Sequence, residues 1–168
     1  MSGRANSQSN RLIVIERKYA ASIEDVWELW TTKEGIESWW GPDGFSVKVH
    51  ELDLRAGGQM RYAMTAVGAP QVQFIKQAGM PLTTEAKLTY TAIVPGKSIT
   101  YTHRADFIPD VEPYDVGNKV EFFAEGGHVR MVLTLDAMHS DEWTQRAVMG
   151  MESQLGKLAR VIASREAT

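Results

Sequence analysis

The spacing of apolar residues changes along the chain. From Asp141 to Ser164, Trp143, Ala147, Met151, Leu155, Leu158 and Ile162 recur at steps of three or four, which places them on one side of an α-helix. Glu142, Arg146, Glu152, Lys157 and Arg160 fall mostly elsewhere. The pattern predicts an amphipathic helix of about six turns. Ser140 or Asp141 caps it, with Asp141 and Glu142 at the positive end of the helix dipole and Lys157, Arg160 and Arg165 toward the other end. Gly150 and Gly156 each weaken it by about 1 kcal/mol relative to Ala. They therefore suggest close approach of another backbone, or room for something beside the helix.

The preceding chain reads mainly as strands. Leu12 to Tyr19 is rich in Ile and Val, with Arg17 and Lys18 restricting burial to one face. Ser22 caps a short helix carrying Val26, Trp27, Leu29 and Trp30, and Lys33 to Trp40 forms a second one that Gly41-Pro42 terminates. From Phe45 the period becomes two: Phe45, Val47 and Val49 alternate with polar residues, and after Glu51 the alternation resumes at Leu52 and Leu54. Gly57-Gly58 turns the chain into Gln59 to Thr65. Val72 to Lys76, Thr84 to Val94 and Ser98 to Phe107 follow as strands, with Ala86, Leu88, Tyr90 and Ala92 sharing a face. Ile108 to Asn118, with Pro109, Pro113 and Gly117, reads as a loop or lid. Val120 to Glu125 and His128 to Ala137 form a hairpin in which both faces of the second strand carry apolar residues, so its inward face stays open.

An antiparallel sheet with one apolar face and a helix with one apolar stripe bury each other, which gives an α+β domain. Residues 1–10 are small and polar and are expected to form a flexible tail, leaving 11–168 as a single domain. The 168 residues, 43% hydrophobic, suffice for one sizeable core. A net charge of -3 without a basic block argues against nucleic acid as a partner. No apolar run approaches the roughly 18 residues needed for a bilayer, so membrane insertion is not expected. Cysteine is absent, which removes thiol chemistry and disulfides and is compatible with a cytoplasmic location.

Three stretches carry a family resemblance: Ala20-Ala21-Ser22-Ile23-Glu24-Asp25-Val26-Trp27, Trp39-Trp40-Gly41-Pro42, and Asp53-Leu54-Arg55-Ala56-Gly57-Gly58-Gln59-Met60-Arg61. Together with Gly150 to Leu158, they resemble proteins related to the C-terminal domain of the activator of Hsp90 ATPase, within the START and Bet v 1-like superfamily. The similarity in layout runs from about Leu12 to Ile162. It implies a helix-grip fold: a curved antiparallel sheet of about seven strands around a long C-terminal helix, with two short helices after the first strand. It also implies an internal, usually apolar cavity between sheet and helix.

The candidate chemistry follows from that cavity. Trp30, Trp40, Tyr62, Met64, Tyr101, His103, Phe107, Met151 and Leu155 are its expected lining, and Trp39, Pro109 and Pro113 its entrance. Four of the five tryptophans lie between Trp27 and Trp40, where they either plug the short helices onto the sheet or stack on a planar ligand. His103 alternates with Tyr101, Ala105 and Phe107, so it can orient a ligand or move a proton, and Asp106 is the other candidate for catalysis. The histidines show no metal-ligand spacing, and no metal or cofactor is expected. The leading expectation is binding of a small hydrophobic or aromatic molecule. The alternatives are an aromatase-, cyclase- or hydrolase-like enzyme using the same cavity, and a protein-binding or chaperone-assisting module. A homodimer is compatible with each.

Overall fold

Seven strands, each antiparallel to its neighbours, form one curved sheet whose concave face is closed by the C-terminal helix. The computed structural model describes residues 11–105 and 110–166, so Asp106, Phe107, Pro109 and the expected tail lie outside the described residues. The elements are β1 (Leu12–Tyr19), α1 (Ile23–Thr31), α2 (Lys33–Glu37), β2 (Phe45–Leu52), β3 (Gln59–Ala66), α3 (Ala69–Gln77), β4 (Thr83–Val94), β5 (Ser98–Ala105), β6 (Tyr114–Glu125), β7 (His128–Asp136) and α4 (Asp141–Glu166). Across the sheet the order is β1-β7-β6-β5-β4-β3-β2.

Ser22 caps the first short helix as the sequence predicts, while the second, expected over Lys33 to Trp40, is capped by Thr32 and ends at Glu37. Ser22 Oγ accepts the Asp25 N–H at 3.1 Å, and Thr32 Oγ1 accepts the Gly35 N–H at 3.0 Å, so α2 restarts almost where α1 stops. Gly35 is buried, and a Cβ there would lie 2.6 Å from Glu28 O. The absence of a side chain lets the two helices fold back on one another.

Two irregularities change the alternation within the sheet. β2 pairs Val49 with Tyr62 and Glu51 with Arg61, leaving His50 as an extra residue. That bulge is the physical basis of the phase change at Glu51. β4 pairs Tyr90 with Tyr101 and Ala92 with Thr100, so Thr91 is the extra residue there. Consequently Ile93, opposite buried Ile99, is half-buried, while Ala92, expected to share the face of Leu88 and Tyr90, is exposed. On β7 the inward face is Val129, Met131, Leu133 and Leu135, all buried.

The structure corrects two further expectations. Val72–Lys76 belongs to helix α3, with Pro70 in its first turn, where a missing N–H costs no hydrogen bond. No residue of α3 is buried, and no core face reveals its period. Tyr114–Asn118, expected in a loop, is the start of β6: Val116, Asn118, Val120 and Phe122 share its buried face despite Gly117.

Helix α4 seats Leu155, Leu158 and Ile162 in the main core, while Met151 packs against its edge. Ser140 provides the cap, its Oγ accepting the Trp143 N–H at 3.3 Å. The two helix glycines mark no close approach: a Cβ at Gly150 would meet nothing within 4 Å, and at Gly156 only Arg160 Nη1 at 3.9 Å. Gly150→Ala should therefore stabilise the fold by about 0.5–1 kcal/mol, read as a higher denaturant midpoint at unchanged slope.

Candidate functional site

The loop between α2 and β2 carries Trp39, Trp40 and Gly41, and α4 holds it with a row of polar side chains. Gly41 N–H donates to Gln154 Oε1 at 2.8 Å, and Asp43 N–H to Ser153 Oγ at 2.9 Å. Lys157 Nζ donates to three backbone carbonyls, Trp40 O (3.4 Å), Gly41 O (3.0 Å) and Phe45 O (3.1 Å). Arg160 Nη2 lies 2.6 Å from Asp43 Oδ1. Gly41 adopts φ +86°, a left-handed conformation that favours glycine. Burial pulls the Lys157 ammonium below the usual lysine range; nearby Asp43 opposes that shift and Arg160 adds to it.

This clamp positions a network of tilted and edge-to-face aromatic rings. Trp30 and Trp39 have ring centroids 4.8 Å apart, Trp39 and Trp40 5.1 Å, and Trp30 and Trp40 5.7 Å. Trp40 continues to Tyr62 at 6.3 Å and Tyr101 at 6.2 Å, and Trp30 to Phe122 at 6.1 Å. Beneath them lies an internal cavity of about 10 Å³, lined by Trp30, Ile36, Trp40, Met60, Leu88, Tyr90, Ile99 and Tyr101. That is room for about one water molecule. The cavity thus lies between the sheet and the tryptophan-bearing segment, and no residue of α4 lines it.

Of the residues the sequence singles out as lining, Trp30, Trp40 and Tyr101 border this cavity. Tyr62 and Met64 are partly buried against the same core. Leu155 is buried in the core and Met151 flanks it, but neither lines the cavity. Trp39, expected at the entrance, is instead fully buried, with its indole N–H donated to Leu29 O at 2.8 Å; it joins α1 to the loop. Pro113 is exposed. Ile36, Met60, Leu88, Tyr90 and Ile99 complete the wall. Leu88 and Tyr90 already share an apolar face in the sequence, but only strand pairing brings them opposite β5.

The cavity wall continues into a polar patch on the concave face. Ile99, Tyr101, His103 and Ala105 occupy one face of β5, and Tyr101 pairs directly with buried Asn118 on β6. The Asn118 Nδ2 donor reaches Val116 O only at 3.3 Å. Asn118 escapes sequence reasoning because neighbouring Gly117 and Pro113 signal a turn, although its alternation with Val116 and Val120 is visible. Burial pushes the Tyr101 and Tyr90 hydroxyls above the usual tyrosine range and keeps them protonated. It does the same to Tyr62, with the Trp40 indole opposing the shift. Half-buried His103 is held below its ordinary 6.5 by burial, against the attraction of Asp115. Among the described residues, no group of three His, Asp or Glu side chains could hold a metal ion, and no helix is long and apolar enough to cross a membrane.

A curved sheet gripping a terminal helix, with an aromatic-walled interior at one end, defines the helix-grip class of the START and Bet v 1-like superfamily. Within it, the chain belongs to the family described as activator of Hsp90 ATPase homolog 1-like protein, whose model matches residues 20–163. Solved structures share the fold at low identity. A protein from Chromobacterium violaceum is 22% identical, with a TM-score of 0.72, covering 90% of this chain and 96% of that one. One from Mycobacterium smegmatis is 21% identical, with a TM-score of 0.71 and 94% of each chain covered. The AHSA1 protein from Silicibacter pomeroyi is 22% identical, with a TM-score of 0.68, covering 92% of this chain and 99% of that one. No curated protein matches the chain.

The geometry yields two predictions. Lys157→Met removes the charged donor shared by three carbonyls and should lower unfolding free energy by about 2 kcal/mol. It should also increase acrylamide quenching of the buried tryptophans as the loop loosens. For His103, the unfolded chain binds a proton more readily than the fold, so the stabilising effect of a neutral imidazole is complete above pH 6.5 and is lost as pH falls toward its lower folded value. His103→Gln should therefore flatten that part of the stability–pH curve, measured by denaturant unfolding at successive pH values.

Proposed function

We propose that the protein binds a small hydrophobic or aromatic molecule in the interior beneath the tryptophan-bearing helices. The observation that carries this reading is the cavity walled by Trp30, Trp40, Tyr90 and Tyr101, set in a fold built around such interiors. Aromatic rings supply wide apolar contact, and removing apolar surface from water contributes about 25 cal/mol per Å². At about 10 Å³ the cavity holds no ligand without expansion. On this reading binding proceeds by side-chain displacement, with half-buried Tyr62, whose ring meets Trp40, and half-buried Met64, next to Gly41, as the side chains that give way. The thioether of Met64 adapts to a new shape more readily than a branched side chain.

The alternatives draw less support. His103 shares a face with Tyr101 but does not line the cavity, so a catalytic reading lacks a group poised on the ligand. A protein-binding module would use the exposed Val67, Phe74 and Met80 around α3. The family description names an Hsp90 activator, but no feature of that surface specifies a chaperone.

Native mass spectrometry of protein purified without denaturation should show an added small-molecule mass. Returning that compound to stripped protein should raise the melting temperature in a saturable way. Bare protein in the first measurement, together with no thermal shift across a panel of small aromatics, would remove the reading.

A further inference from the structure

Among the described residues, the buried side-chain polar atoms without a hydrogen-bond partner are Tyr19 Oη, Trp30 Nε1 and Tyr101 Oη. The last two belong to residues that line the same cavity. An unpaired donor withdrawn from water is costly, and such groups are rare enough to require an explanation. An indole N–H can only donate, whereas a phenol O–H rotates to suit its partner. Two residues of the wall therefore carry donors that an acceptor oxygen, from one water molecule or from a ligand, would satisfy.

The charge of the occupant follows from what the wall lacks. None of its side chains is cationic. The nearest clamp cations are committed: Lys157 Nζ donates to the carbonyls of Trp40, Gly41 and Phe45, and Arg160 pairs with Asp43. An anion would enter this apolar interior without a counter-charge, at high desolvation cost. Its shape follows from Trp30, Trp40, Tyr90 and Tyr101, whose rings suit a planar body. The existing 10 Å³ matches one oxygen-sized group, while the body of the ligand takes the space opened by displacement.

We propose that the ligand is a neutral aromatic molecule bearing a carbonyl-type oxygen, which docks on Tyr101 Oη and Trp30 Nε1. This inference rests on the ligand-binding reading above and specifies its chemistry.

The test measures dissociation constants of three probes by ligand-observed NMR and calorimetry. Acetophenone carries the carbonyl, α-methylstyrene is its near-isostere without the oxygen, and benzoate carries a charge. Acetophenone should bind about tenfold more tightly than α-methylstyrene, the effect of two hydrogen bonds made in place of unsatisfied donors, and benzoate should bind more weakly than either. Tyr101→Phe and Trp30→Phe each remove one of the two donors, so each should cut the preference for acetophenone over α-methylstyrene from about tenfold to about threefold. Equal affinities of the two neutral probes for the unaltered protein, or tighter binding of benzoate, would overturn the oxygen anchor and leave the cavity reading standing. An affinity ratio that persists in folded Tyr101→Phe and in Trp30→Phe would likewise overturn it. Failure of all three probes to bind up to their solubility limits would overturn the anchor and count against the cavity reading itself. The isostere comparison needs no variant, so it stands even where a substitution impairs folding.

Discussion

The structure depends on one ammonium group. Lys157 donates to the carbonyls of Trp40, Gly41 and Phe45, and those three contacts join the terminal helix to the segment that covers the open end of the sheet. Apolar packing holds α4 against the concave face, with exposed ion pairs to Arg11, Arg17 and Glu28 at its margins, but such packing resists small slides along the helix axis only weakly. Directional bonds from Ser153, Gln154, Lys157 and Arg160 remove that freedom. They also relieve a problem of the loop: Trp40, Gly41 and Phe45 turn their carbonyls toward partly buried surroundings, where water cannot fully serve them. Once the loop is fixed, Trp39 can reach Leu29 O and Trp30 can pack between two other indoles.

The interior that results mixes apolar and polar side chains. Val120, Met131, Leu133 and Leu158 are fully buried apolar residues of the main core, and Phe122, paired with Met131, meets the Trp30 ring. The same face of the sheet also presents Tyr90, Tyr101, Asn118 and His103. A core selected only for stability would have little use for an asparagine with one long hydrogen bond or for indole and phenol groups with none. Trp30 and Tyr101, which carry two of these groups, both line the cavity.

Much of this architecture is legible in the chain. The stripe through Leu155, Leu158 and Ile162 defines the gripped helix, and the phase change after Val49 records the bulge at His50. The face of β7 is not legible, because Val132 is as apolar as Val129; pairing with β1 and β6 decides it. Helix α3 is misread as a strand because Val72 and Phe74 alternate with glutamines and no burial demand imposes a helical stripe. Within the candidate site, Trp30, Trp40 and Tyr101 stand out by residue type. Lys157 does not, since its partners are backbone carbonyls, which every residue possesses and no sequence pattern marks.

The excursion that carries α3 begins and ends at a closed seam. Thr65 and Thr83 are paired across β3 and β4 with their hydroxyls 2.9 Å apart, and Ala66 N–H donates to Leu82 O at 2.9 Å. The hairpin is therefore complete without the helix beyond it. Because α3 buries none of its residues, the cooperative unit constrains it mainly where Gln71 packs against Gly44 and Gly68. Evolution, or an engineer grafting a reporter or a recognition peptide, can rewrite the outer face beyond Gln71 at little cost to the sheet.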